Sequence, residues 1–298
     1  MTGLNLQGAF TALVTPLSAD GSSIDFGALE RLISKQLEAG IGGLVACGTT
    51  GETPTLTPDE QREVIQTTVR LAAGKVPVIA GAGNNDTLDS ISIAKTAAEA
   101  GADAVMVVMP YYNKPSQEGM VRHVQAIARA VSVPVVLYNI PGRTMVELSV
   151  ESTLRIADSC SNVVAVKDAT GKLDYAMELL ARARERLTLL SGDDPLTVPM
   201  MSVGASGVIS VTSNVLPAAV QKVTELMRAG DTQAALHEHF RLLPVHRSMF
   251  LEPNPQPVKA VLAARGLMNP SLRLPMVEAS AETREKVVAA LSAYEAGQ

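Results

Sequence analysis

Tryptophan is absent from this sequence, and aromatic residues together make up only 3% of it. Stacking platforms of the kind that hold single-stranded nucleic acid are therefore missing. No strong run of lysine or arginine occurs, and the formal net charge is −5. Both facts disfavour a nucleic-acid partner. Cysteine is nearly absent: Cys47 and Cys160 stand alone. They offer no disulfide framework and no Cys-x-x-Cys or Cys/His metal spacing. No run approaches the roughly 18 apolar residues that suggest a membrane span. Met1-Thr2-Gly3-Leu4-Asn5-Leu6-Gln7 lacks the basic-then-apolar pattern of a secretion signal. The expectation is a protein of the reducing cytoplasm, with no membrane segment.

What is present is aliphatic. Hydrophobic residues make up 47% of the 298 residues, with 12 methionines and 22 glycines. Eight short apolar runs punctuate the chain: Ala9–Val14, Gly43–Cys47, Val76–Ala80, Ala104–Met109, Val133–Tyr138, Val163–Lys167, Leu187–Leu190 and Gly207–Val211. Their starts lie roughly 20–35 residues apart, the size of one βα unit. Helix signals fill the gaps. Asp25 can cap a helix whose apolar residues Phe26, Leu29, Ile33 and Leu37 lie on one side, with Gly40 as its stop. Thr57-Pro58-Asp59-Glu60 combines a cap, a first-turn proline and a capping-box glutamate. Ser116 and Ser149 cap later helices.

Eight such units predict an α/β fold, a TIM (β/α)8 barrel over residues 1–230. An appended C-terminal helical bundle is expected over 231–298. The alternative, an open doubly wound sheet, usually carries Gly-x-Gly-x-x-Gly after its first strand. Here that strand runs into Val14-Thr15-Pro16.

A barrel of this kind places its chemistry at the C-terminal ends of its strands. Those ends carry Gly48-Thr49-Thr50-Gly51-Glu52, Gly81-Ala82-Gly83, Tyr111-Tyr112, Tyr138-Asn139 with Gly142-Arg143-Thr144, Lys167-Asp168 and Gly192-Asp193-Asp194. In the sixth strand Val163, Ala165 and Lys167 share one face if alternation is regular. A lysine in line with a buried face is costly unless neutral or paired, and burial favours the neutral, nucleophilic amine. A strand-end lysine that snorkels to solvent is the competing reading. Gly81-Ala82-Gly83 reads as a turn, because phosphate-loop spacing is missing. Asp193-Asp194 reads as a helix cap rather than a metal site. His123, His237, His239 and His246 fall on predicted helices away from the rim and read as structural. A lysine, a tyrosine and paired threonines at one mouth suggest Schiff-base chemistry on a keto acid, with no metal or cofactor.

These segments, taken in order with Ala12–Pro16, Gly207–Ser210 and Glu252-Pro253-Asn254-Pro255, resemble the pyruvate-dependent class I aldolase family over essentially the whole chain. The resemblance implies that Lys167 forms a Schiff base with pyruvate and that Tyr138 donates and accepts the proton. It implies a relay through Thr49 and Tyr112, the latter reaching in from a neighbouring subunit. Thr50 and Gly192 would contact pyruvate, as would the backbone of Ile209. Arg143 would receive the carboxylate of L-aspartate 4-semialdehyde, since a guanidinium pairs bidentately with a carboxylate. The activity implied is the condensation of these two substrates in lysine and diaminopimelate biosynthesis, by a homotetramer. A sibling lyase for N-acetylneuraminate or 2-keto-3-deoxy sugar acids would share Lys167 and Tyr138. Pro58 and Gln61 stand where lysine-inhibited members often carry histidines, so only weak inhibition by L-lysine is expected. Sub-millimolar half-inhibition would overturn that.

Overall fold

The computed structural model describes residues 4–297. Eight strands form the centre: β1 (Gly8–Ala12), β2 (Gly43–Ala46), β3 (Val78–Gly81), β4 (Ala104–Val108), β5 (Val135–Asn139), β6 (Val163–Asp168), β7 (Thr188–Ser191) and β8 (Gly207–Ser210). Each pairs in parallel with its sequence neighbour, and β8 returns to β1 to close the barrel. The eight runs expected from sequence are all strands, shifted by one or two residues at most ends. Every residue of β1, β2, β3, β5 and β8 is buried. That is why these strands read as unbroken apolar runs rather than alternating ones.

The pleat divides the core into two layers. Phe10, Val45, Ile79, Met106, Val136, Ala165, Leu190 and Ile209 point into the barrel. Leu44, Val78, Val105, Val135, Val166 and Leu189 point outward, against the helices. The helix signals perform as expected. Asp25 accepts from the Ala28 amide at 2.9 Å, and Thr57 and Glu60 close a full capping box. Ser116 and Ser149 cap their helices.

The expected face of β6 needs correction. Val135 pairs with Val163, but the next residue, Val136, pairs with Ala165. Val164 is therefore an extra residue, a bulge. The bulge puts Val163 in the outer layer and Ala165 in the inner one. So Val163 does not share a face with Ala165. A β-bulge also bends its strand and re-aims the residues beyond it, and Lys167 lies just past this one.

After β8 comes the helix Pro217–Arg228, then three more over Thr232–Ser248, Gln256–Ala264 and Ala281–Ala296. These last helices form the expected C-terminal helical region and pack onto the barrel. Leu242, Val245, Val258, Val261, Val287 and Leu291 share one buried cluster with Val14, Ala28, Leu32, Val211 and Val223. The C-terminal segment thus packs against the barrel shell and reaches the rim at the C-terminal ends of the strands. Among the described residues no helix is long and apolar enough to cross a membrane.

Candidate active site

Register brings the first two groups together. Tyr138 on β5 and Lys167 on β6 are paired residues, and the Lys167 ammonium nitrogen lies 4.0 Å from the centre of the Tyr138 ring. Both side chains are buried, with 4% exposure for Tyr138 and 6% for Lys167. A cation over an aromatic face is attracted by the ring quadrupole. The competing reading of Lys167, a snorkelling surface residue, is excluded by its burial.

The amine opens into a cavity of about 50 Å³ lined by Tyr138, Thr49, Thr50, Arg143, Gly192, Phe250 and Asn254, among others. Each lining group is held by a local device. Thr49 and Thr50 sit in a turn closed by the Gly51 amide on Gly48 O at 3.0 Å. The turn is flanked by Cys47 and Glu52, both left-handed at φ 52 and 55. Non-glycine residues rarely adopt that conformation, and it persists only where the surroundings enforce it. Here the Thr15 hydroxyl donates to Gly51 O at 2.8 Å. The buried Lys259 ammonium pairs with the Glu52 carboxylate and donates to Ser271 O at 2.9 Å. Arg143 follows β5 on a single helical turn, Pro141–Thr144, and its guanidinium donates to Asn254 O at 3.1 Å.

Gly192 follows β7, and its amide donates to Asp168 O at 2.7 Å. A Cβ there would sit 2.8 Å from the Ala169 Cβ and 3.2 Å from the Lys167 Cε. The missing side chain is space for the lysine. With Lys167 expected to form the imine with pyruvate, Gly192→Ala should slow formation of that adduct by roughly ten- to hundredfold, the cost of displacing a reacting group by about an ångström. Trapping rates measured by mass spectrometry check this; an unchanged rate would show that the lysine is not confined by Gly192.

A second cavity, of about 570 Å³, adjoins the first and shares Thr49, Tyr138, Ile140 and Arg143 with it. Its outer wall carries Thr53, Pro58, Gln61, Asn84, Asp89 and Tyr111.

Residues 5–294 match the model of the dihydrodipicolinate synthetase family. The chain belongs to that family. It is 52% identical to the 4-hydroxy-tetrahydrodipicolinate synthase of Sorangium cellulosum, covering 99% of this chain and 98% of that one. It is 45% identical to the enzyme of the same name from Bacillus subtilis, over 97% and 99%. Among solved structures, the dihydrodipicolinate synthase of Aquifex aeolicus superposes with a TM-score of 0.95 at 41% identity, covering 97% of this chain and 98% of that one. The enzyme of Cyanidioschyzon merolae, solved with lysine bound, gives 0.92 at 36% identity, over 97% and 98%.

In this dihydrodipicolinate synthetase family member, Lys167, Tyr138, Thr49, Thr50, Arg143 and Gly192 meet at one cavity. Two expected site residues do not join them. Tyr112 is 88% exposed with φ 72 and lines neither cavity; the expected contact was with a neighbouring subunit. Ile209 is buried in the barrel core and is not among the residues lining the cavity; the expected contact was through its backbone. Among the described residues no hydrogen bond joins Tyr138 to Thr49, so the expected relay is not continuous within one chain.

Two other expectations are corrected. Gly81-Ala82-Gly83 is not a turn. Gly81 ends β3, and a Cβ on it would fall 2.0 Å from Cys47 O, so it lets the Thr49 loop cross close above the strand. Nor do Asp193 and Asp194 cap a helix through their side chains. Asp194 instead accepts from the Ser210 hydroxyl and from the Val211 and Thr212 amides at 2.9 and 3.1 Å, tying the end of β8 to β7. Burial, then the neighbouring Asp194 charge, pushes the Asp193 carboxyl up to about 6. The histidines lie outside both cavities. His123 bonds Thr87, His239 bonds Pro195 O and His246 bonds Thr212. Among the described residues no cluster of His, Cys, Asp or Glu could hold a metal ion.

Asn254 and Phe250 carry no role that sequence reasoning assigns. Asn254 stands between two prolines, and nothing local says that it reaches a threonine 204 positions away.

Proposed function

We propose that this chain condenses pyruvate with L-aspartate 4-semialdehyde to 4-hydroxy-tetrahydrodipicolinate through an imine on Lys167. The observation that carries the role of Lys167 is its amine, buried against Tyr138 in a cavity that also presents paired threonines and a guanidinium. One nucleophile with two anion-binding groups suits two carboxylate substrates.

The order of steps is dictated by the chemistry. The Lys167 amine adds to the pyruvate ketone, and water leaves to give a protonated imine. That imine is the electron sink that lets the methyl group lose a proton. The resulting enamine carbon attacks the aldehyde, whose oxygen takes up a proton. The substrate's own amine then adds to the imine carbon, which closes the ring, and breaking of the carbon–nitrogen bond to Lys167 releases the product and returns the free amine. Tyr138, beside the amine, is the proposed proton carrier, and Thr50 with Gly192 is proposed to seat the pyruvate carboxylate. Arg143 has donors left for a second carboxylate after serving Asn254 O.

Borohydride reduction in the presence of pyruvate, followed by peptide mapping, tests the reading. An adduct on Lys167 is expected; a wild-type protein that takes none would end it. Arg143→Ala should spare the adduct and raise the KM for the semialdehyde at least about tenfold, the cost of a lost charge-assisted pair. Equal loss of adduct and turnover in that variant would remove Arg143 from this role.

We further infer a homotetramer in which Tyr112 enters a neighbouring subunit's site and completes a proton relay with Thr49 and Tyr138. Its exposure and left-handed backbone support the reading, since an unsupported tyrosine has no reason to hold that conformation. Sedimentation should give a tetramer, and Tyr112→Phe should lower kcat while leaving the assembly intact. A fully active monomer would exclude the shared relay.

A further inference from the structure

Asn254 touches both anion-binding side chains of the site and still has a polar atom to spare. Its amide nitrogen donates to the Thr50 hydroxyl oxygen at 3.0 Å. Its main-chain oxygen accepts from the Arg143 guanidinium at 3.1 Å. Its side-chain oxygen, Oδ1, is buried without a partner among the described residues, and the residue lines the cavity into which Lys167 opens. The side chain is held firmly: Asn254 is 5% exposed, and the next residues begin a helix in which the Gln256 amide donates to Pro253 O at 3.0 Å. Glu252, two residues before it, is fastened to Ser280 and Gln256.

The two ends of this amide ask for different things. The Thr50 oxygen, having accepted from Asn254, keeps its own O–H to donate. It is thereby oriented as a donor, the polarity a carboxylate needs. Oδ1 is an acceptor only. A carboxylate, ketone or aldehyde oxygen cannot satisfy it, and a buried acceptor left unpaired is expensive. A donor on the substrate can. Beside it stands Arg143, a carboxylate receptor.

A guanidinium next to an acceptor amide oxygen is a receptor for the head group of an α-amino acid. We propose that Asn254 recognises the ammonium group of the amino aldehyde through Oδ1, while its Nδ2 positions Thr50 for the keto acid. This rests on the two-substrate reading above. The ammonium nitrogen so held is the one that later closes the ring. Carboxylate on Arg143, ammonium on Asn254 and aldehyde toward Lys167 make three points of attachment, enough to select one enantiomer.

The test separates the two ends of the amide. For wild type, Asn254→Ala and Asn254→Asp, three quantities are measured. They are the KM for L-aspartate 4-semialdehyde, the inhibition constant of its desamino analogue succinate semialdehyde, and the pyruvate concentration that half-labels Lys167 under borohydride. Asn254→Ala loses the acceptor, so the preference for the amino over the desamino aldehyde should fall about tenfold or more. Asn254→Asp keeps an acceptor but cannot donate to Thr50. It should hold that preference within about threefold while half-labelling needs at least about tenfold more pyruvate. Unchanged preference in Asn254→Ala with normal labelling would overturn the proposal, as would equal loss of preference in both variants, which marks a merely structural residue. Absence of any adduct in wild type would instead overturn the Schiff-base reading, and this one with it.

Discussion

Lys167→Met is expected to fold at least as well as the wild-type protein and to lose the pyruvate adduct completely. The two halves have separate causes. Lys167 is buried and forms no ion pair among the described residues, and a buried amine without a carboxylate is a liability to the fold. Methionine has a similar length, brings no polar atom and suits the apolar wall that Ala12, Val45 and Met106 provide. Functional groups often cost stability in this way, so the melting temperature should stay level or rise by a few degrees. Activity has no such compensation. Without the amine there is no imine, and the methyl carbon of pyruvate has no electron sink. Loss of a covalent nucleophile commonly costs about 10³-fold or more. Thermal unfolding and borohydride trapping check the two halves independently. A marked fall in melting temperature would mean that Lys167 carries structural load; a persistent adduct elsewhere would mean that it is not the nucleophile.

The barrel was legible because a parallel sheet covered on both faces leaves a strong mark. Its strands are short, apolar and spaced by one helix, and their ends are where polar groups collect. Lys167, Tyr138 and the threonine pair could be placed from that alone, since neighbouring strands in a closed ring are neighbours in sequence. Three kinds of information were not local. The bulge at Val164 is invisible in a run of valines and alanine, because no residue there is specific to it. The use of Asp194 was ambiguous, because a carboxylate can cap a helix or collect backbone amides from a crossing strand, and only the position of β8 decides. Asn254 and Lys259 reach the rim from more than 200 residues away. Their roles depend on how the C-terminal helices pack, which no spacing encodes. The reach of Tyr112 into a neighbouring subunit is what the family resemblance implies, and nothing in the residues around it in sequence encodes it.

The second large effect should come from a place remote in sequence from any catalytic group. Lys259 is wholly buried, and its ion pair with Glu52 lies inside the protein. Glu52 also accepts from the Arg273 amide at 3.2 Å, and the Arg273 guanidinium clamps Glu60 at 2.6 and 2.7 Å. The C-terminal segment thereby holds both ends of the stretch from Glu52 to Glu60, just after the threonine pair. Lys259→Met strands the Glu52 carboxylate with too few donors and leaves Ser271 O without its partner. Breaking one side of a buried pair costs about 3–5 kcal/mol. The same change should slow adduct formation, because Glu52 is kept in its left-handed conformation by these contacts and Thr50 lies two residues before it. Removing both charges is a different matter. Desolvation of the pair consumes much of its attraction, so a neutral pair of similar volume can be nearly as stable. Glu52→Gln combined with Lys259→Met should recover at least about half of the single-variant loss, a coupling within the roughly 0.5–3 kcal/mol seen for residues in contact. Urea unfolding of the two single variants and the double variant measures it. Simple additivity would mean that the pair contributes no mutual energy. Recovered stability without recovered trapping would separate its two roles, with charge pairing setting the stability and the lysine's hold on Ser271 and the loop setting the geometry of Thr50.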